Sequence, residues 1–204
     1  MAKAKSNAAK NIIVLFVVAL ISVAILAVLN QVTMEPIAAA EEEARQAAYM
    51  KVYEADRFED VENLEELLTA YELPSPDAGV TVNAALEAYK GDAQVGYVYD
   101  VTSPNGYGGD VRVALGITNE GEITNFTVIS AANETPGLGA RSTEEEFQSE
   151  FAGLSALAPV AFSKTGANRD NNEFDAISGA TITTTAVQQA VNEAIALFNA
   201  MKGA

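Results

Sequence analysis

The sequence predicts an α+β protein: one N-terminal transmembrane helix and stalk, followed by an antiparallel-sheet domain with flanking helices. Three observations predict it. Ile12 to Leu29 is an uncharged run of 18 residues with Ser22 as its one polar member. Between residues 95 and 130 the apolar residues recur with period two, the mark of strands. Near the C-terminus Val187, Val191, Ile195 and Phe198 fall on one helical stripe, with Ala190 and Ala194 beside it.

The elements follow in order. Residues 1–11 form a basic N-terminus. Residues 12–29 as a helix span ~27 Å, close to the hydrocarbon thickness of a bilayer. A cleaved signal peptide is the rival reading, since Ala38-Ala39-Ala40 resembles a small-residue site. The apolar run is too long for that, and the alanines lie too far beyond it. Lys3, Lys5 and Lys10 precede the span and no base follows it until Arg45, which predicts a cytoplasmic N-terminus and an extracytoplasmic domain.

Residues 30–93 are expected to form a stalk and helical connector. Pro36 precedes an Ala- and Glu-rich stalk over 38–48, and Ala44, Ala48, Tyr49 and Val52 recur at helical spacing. A short helix is expected over 63–71, stopped by Pro74 and Pro76. A loop follows over 74–92, with one helical turn at 84–89.

Residues 94–204 are expected to be the main domain. Val95, Tyr97, Tyr99 and Val101 form one strand face, and Val111, Val113, Leu115 and Ile117 a second. A third strand runs from Ile123 to Ser130, joined through Asn119-Glu120-Gly121 as a three-residue hairpin loop. Ser103 to Gly109, with Pro, Asn and three Gly, is a turn. Thr143-Glu144-Glu145-Glu146 reads as a capped helix start leading to Phe151, and 158–163 as a short strand. Residues 164–174 read as polar loop, and the last helix as roughly 184–201.

Charge is unevenly placed. The chain has 204 residues, 12 bases and 28 acids, and three of the bases lie in the first thirty residues with no acid. The remainder carries nine bases against 28 acids, a formal charge of −19. That surface repels nucleic acid. There is no Cys and no His, which excludes thiolate iron–sulfur clusters, Cys/His zinc sites, His-ligated haem, Ser-His-Asp triads and disulfides. Redox work here requires an organic cofactor.

Two motifs carry chemistry. Ser178-Gly179-Ala180-Thr181 lies just before the last helix. Gly179 and Ala180 let backbone approach an anion, and the helix start offers free amides and its positive dipole end. Thr183, Thr184 and Thr185 offer hydroxyls that suit either a helix cap or phosphate oxygens. Asn133-Glu134-Thr135-Pro136-Gly137-Leu138-Gly139 is a rigid turn in which Pro136 fixes φ and Gly137 and Gly139 permit positive φ. Taken alone, each is also an ordinary turn or helix entry.

Together with Gly106-Tyr107-Gly108-Gly109, these motifs resemble the FMN-binding domain found in the RnfG component of the Rnf complex and in its counterpart in the Na⁺-translocating NADH:quinone reductase. The likeness spans 94–200 and the general layout of the membrane helix. The length and single span suit the RnfG component better. One departure stands at Ala132, where the family often has His, so a His partner to the flavin is not required here.

The resemblance implies an FMN-binding domain over 94–204, with FMN joined through its phosphate to Thr181. It places Glu134, Thr135, Gly137 and Leu138 near the isoalloxazine ring, and Ser178, Gly179, Ala180, Thr183 and Thr184 at the phosphate end. Tyr107 either packs on the ring or lines the site, or is a core aromatic at a turn. Lys164 and Arg169 are the nearest bases in sequence. The implied function is electron relay within an ion-translocating ferredoxin:NAD⁺ oxidoreductase, with no substrate chemistry of its own. The implied partners are its integral-membrane, iron–sulfur and flavin subunits, and a Mg²⁺-dependent flavin transferase with FAD as donor. The alternatives are a free-standing anchored flavoprotein in extracytoplasmic electron transfer, or a non-redox acidic binding module.

Overall fold

In the computed structural model, residues 2–70 and 78–203 are described, with side chains from residue 8. The chain divides into two units, Met1–Ala44 and Arg45–Ala204. The first is helical, the N-terminal part of α1 (Ala2–Val52), and Pro36 lies inside that helix. From Ile12 to Leu29 its large apolar side chains are exposed, and it is long and apolar enough to cross a membrane. Two of its hydroxyls bond within the helix: Ser22 Oγ donates to the Val18 carbonyl at 2.9 Å and Thr33 Oγ1 to that of Leu29 at 2.9 Å. Internal pairing of this kind is what a lipid environment demands.

The second unit is built on a five-stranded antiparallel meander, β1 (Arg57–Asp60), β2 (Thr81–Lys90), β3 (Ala93–Ser103), β4 (Val111–Thr118) and β5 (Ile123–Ser130), paired in chain order. The three strands expected from period two are present. The loop and helical turn expected over 74–92 are corrected where the structure describes them, since Thr81–Lys90 is a strand paired with both β1 and β3. Its Ala-, Leu- and Glu-rich sequence favours helix in isolation, and the two neighbouring ladders override that preference. The Pro74 and Pro76 helix stop lies outside the described residues. The connector helix is α2 (Leu64–Ala70).

Both sheet faces are covered. On one, Tyr99, Val101, Val113, Leu115, Ile117 and Phe126 pack against α4 (Thr181–Gly203) and an aromatic cluster of Phe147, Phe151 and Phe174. The other presents Leu86, Ala88, Val98 and Ala114 to Ala48, Tyr49, Val52 and Tyr53. Neighbours such as Val98 and Tyr99 serve opposite cores, as the strand period requires. The second face is cut to receive its cover. A Cβ on Gly116 would lie 2.3 Å from the Val52 carbonyl oxygen, and one on Gly96 2.5 Å from the Tyr53 ring.

A fully buried carboxylate, Asp100, sits on this second face. Arg112 donates to both its oxygens (2.8 and 2.7 Å), Tyr49 Oη at 2.8 Å and Asn83 Nδ2 at 2.9 Å. The charge is therefore paired and fully hydrogen-bonded, which makes its burial tolerable.

After β5 the chain makes a 3₁₀ turn over Gly139–Thr143, α3 (Glu145–Gln148) and a second 3₁₀ turn over Ser149–Phe151. The expected Thr143 cap is not made. Its hydroxyl donates back to the Ala140 carbonyl at 2.8 Å, and Glu144 takes the cap position. A parallel pair, β6 (Ala161–Ser163) with β7 (Glu173–Asp175), replaces part of the loop expected over 164–174. The last helix starts three residues earlier than expected, at Thr181.

Because β3 and β4 are antiparallel, and β4 and β5 likewise, the turn after Ser103 and the loop after Ser130 leave the same end of the sheet. The head of α4 reaches that end too, and the three segments enclose a cavity.

Candidate functional site

The loop after β5 is shaped by its own sequence. The Leu138 and Ala140 amides both donate to the Thr135 carbonyl, at 3.1 and 3.2 Å. Pro136 and Gly137 are the central residues of that turn, and Gly137 has φ 75°, the positive value a type II turn needs there. The loop stacks on the glycine turn after β3, where a Cβ on Gly108 would lie 1.9 Å from the Asn133 carbonyl oxygen.

At the head of α4, Gly179 has φ 79°, and a Cβ there would approach Leu138 Cδ2 to 3.1 Å. The Ala180 amide turns back to the Ile177 carbonyl (3.0 Å), and the Ala180 carbonyl accepts the Thr184 amide (3.0 Å). The amides of Thr181, Ile182 and Thr183 are thus the free donors of the first helical turn.

The cavity between these segments has a volume of about 430 Å³, within the range of small-molecule sites. It is lined by Tyr107, Glu134, Thr135, Leu138, Gly139, Gly179, Ala180, Thr181, Ile182 and Thr183. Eight of these are residues singled out from the sequence. Gly139 and Ile182 are additional. Gly139 belonged to the recognised loop, and Ile182 had a signal of its own as a large apolar residue off the α4 stripe. Tyr107, Leu138 and Ile182 are 70%, 42% and 52% exposed, an apolar rim around a polar floor. Among the described residues no Lys or Arg lines the cavity, so the free amides and the helix dipole are its attraction for an anion, the dipole being worth about 0.3–1 kcal/mol.

The other expected residues lie elsewhere. Gly137 is exposed at the loop tip. Ser178 lines a separate cavity with Arg141, Glu146, Asp175 and Lys164. Arg169 is occupied by carbonyls, donating to those of Glu150 (2.9 Å) and Ala152. Thr184 is fully buried behind the wall, where its hydroxyl accepts the Ile177 amide at 3.2 Å and donates to the Ala180 carbonyl at 3.0 Å.

The threonines of this turn are not equivalent. Thr183 Oγ1 donates to Glu134 Oε2 at 2.7 Å, and Thr185 Oγ1 to the Thr181 carbonyl at 2.8 Å. With Thr184 committed as well, Thr181 is the exposed member, its hydroxyl at the cavity with no hydrogen-bond partner among the described residues.

Comparison with known proteins bears on this geometry. The FMN-binding domain family matches residues 106–196, and the RnfG N-terminal region matches residues 1–52. The G-type subunit of the Na⁺-translocating ferredoxin:NAD⁺ oxidoreductase complex of Acetobacterium woodii is 32% identical over 192 residues, covering 91% of this chain and 89% of that protein. The G-type subunit of the ion-translocating oxidoreductase complex of Pseudomonas aeruginosa is 29% identical over 199 residues, covering 94% and 88%. Among solved structures, Shewanella oneidensis NqrC shares the fold, with a TM-score of 0.51 at 21% identity, covering 59% of this chain and 61% of that one. With both family regions in place and kinship over nearly its whole length, the chain belongs to the RnfG family, the G-type subunits of ion-translocating oxidoreductase complexes.

Proposed function

We propose that this protein is the membrane-held flavoprotein subunit of an Rnf-type ion-translocating ferredoxin:NAD⁺ oxidoreductase, relaying electrons through an FMN esterified to Thr181. The relatives named above support the complex, and the FMN-binding domain match supports the cofactor. The observation that carries the attachment is the inequality of the threonines: Thr181 is at the cavity with an uncommitted hydroxyl, while its neighbours are internally bonded.

The residues present fit FMN. The first-turn amides of α4 suit a phosphodiester, which keeps one negative charge. Leu138, Ile182 and Tyr107 offer apolar surface to a flat ring system, and Thr135 a polar edge. FMN supplies transfer of electrons singly or in pairs, and the protein's share is position and access. Attachment exchanges the Thr181 Oγ–H bond for an Oγ–P bond as the pyrophosphate of an FAD donor breaks. AMP leaves, and the proton passes to solvent. A separate flavin transferase is the expected catalyst.

The excess of Lys before the span supports an N-terminus in the cytoplasm and a sheet domain outside, where a covalent link prevents loss of the cofactor. The partners follow from the same reading: the integral-membrane and redox subunits of the complex.

Co-expression with a flavin transferase, followed by intact-mass analysis and in-gel fluorescence after denaturation, tests the attachment. Wild type should gain the mass of FMN less one water, and Thr181→Ala should gain nothing. A fluorescent Thr181→Ala protein sinks the assignment. The chain has no Cys, so a single Asp92→Cys substitution reports topology. A membrane-impermeant maleimide should label it from outside spheroplasts, and labelling only after lysis reverses the orientation. Co-purification with integral redox subunits separates the complex from a free-standing carrier.

A further inference from the structure

One buried carboxylate joins the three walls of the cavity, and its role deepens the flavin reading, on which the identity of the ligand rests. Glu134 is 6% exposed. Its Oε1 accepts the Gly108 amide at 3.2 Å, and its Oε2 accepts the Thr183 hydroxyl at 2.7 Å. The glycine turn after β3, the loop after β5 and the head of α4 therefore meet on a single side chain. Glycines make room for it. A Cβ on Gly106 would lie 2.6 Å from Oε1, and one on Gly139 1.9 Å from Oε2 and 2.5 Å from Thr183 Oγ1.

We infer that Glu134 is a positioning residue that latches the Tyr107 turn and the 133–139 loop onto the first turn of α4, so that the cavity stands ready before a flavin phosphate enters it. The chemistry of the pair explains the residue type. The Gly108 amide is only a donor, and the Thr183 proton already points inward, so two acceptor oxygens on one side chain satisfy both. Burial makes each contact costly to lose. Committing the Thr183 proton to Glu134 also keeps that hydroxyl from competing with Thr181 as an attachment point.

The side-chain inventory separates the variants. In Glu134→Gln, the amide oxygen still accepts from Gly108 and the NH₂ group donates to Thr183 Oγ1, so the latch holds. Glu134→Asp is one methylene short, and Glu134→Ala leaves both donors unmet.

Hydrogen exchange followed by mass spectrometry on the full chain in detergent, before any flavin is installed, reads the latch directly. The peptide holding residues 106–109 should exchange about tenfold faster in Glu134→Ala and Glu134→Asp than in wild type, and at the wild-type rate in Glu134→Gln. With a flavin transferase present, the rate of mass gain should fall about tenfold in Glu134→Ala and recover in Glu134→Gln. Unchanged exchange in a folded Glu134→Ala overturns the latch. Should that variant fail to fold, Gly139→Ala drives a methyl group into the same contact. It should raise exchange at 106–109, and wild-type exchange there overturns the proposal equally. Failure of the wild type to take up flavin defeats the cofactor reading, while the exchange comparison still decides the latch.

Discussion

At the residue scale, the site is a matter of which polar groups are already occupied. Four hydroxyls lie within one helical turn and a half, and geometry leaves Thr181 uncommitted at the cavity. The sequence offered the motif but not this sorting, because a side chain's hydrogen-bond partner across 49 residues, as for Thr183 and Glu134, has no local signature. Gly179 was legible, and the structure adds the reason: φ of 79° and Leu138 close overhead. Gly179→Val should therefore both strain the backbone, by roughly 1–2 kcal/mol, and crowd Leu138. Flavin loading followed by intact mass should fall severalfold while the sheet's circular dichroism is retained. Normal loading would show that no close backbone approach is needed.

At the element scale, β3, β4, β5 and α4 announced themselves because each buries a regular stripe. Strand β2 did not. Its ten residues read as helix or loop by composition, and they become a strand because β1 and β3 supply hydrogen bonds on both sides. The short β1 and β7 are equally unreadable, since their pairing partners lie about 30 and 12 residues away. The second sheet face was also invisible. Nothing local says that Val98, Asp100 and Ala114 will meet Tyr49 and Val52. Arg112 holds both oxygens of the buried Asp100 in that interface. Arg112→Ala removes the charge partner and leaves the carboxylate buried, a loss of about 3 kcal/mol. Chemical denaturation in detergent should show a lowered midpoint, and a wild-type midpoint would mean the ion pair contributes nothing net.

At the scale of the whole molecule, the folded unit is acidic outside and tyrosine-rich within. Burial, with the neighbouring Tyr97 adding to it, pushes the Tyr99 hydroxyl well above the usual 10.0. Below pH 10 both folded and unfolded chains keep that proton and stability is unaffected. Above pH 10 the unfolded chain releases it and the folded chain does not, so stability falls as pH rises. Thermal unfolding of wild type should show this decline above pH 10, and Tyr99→Phe should make it shallower, the remainder coming from other raised tyrosines such as Tyr49, which burial and Asp100 push up. Near neutral pH the two should be close, since the phenol's one described partner is Met201 Sδ at 3.6 Å. An identical alkaline slope in both proteins would assign the decline to other groups.

The cavity draws its walls from residues 106–109, 133–139 and 179–183, and the last of these arrives with the final helix. During synthesis, the first two walls therefore emerge with nothing to close against. Only when α4 docks does the pocket exist. On the proposed attachment to Thr181, a transferase that needs the finished pocket would pass over nascent or truncated copies, and colour would then mark complete folding.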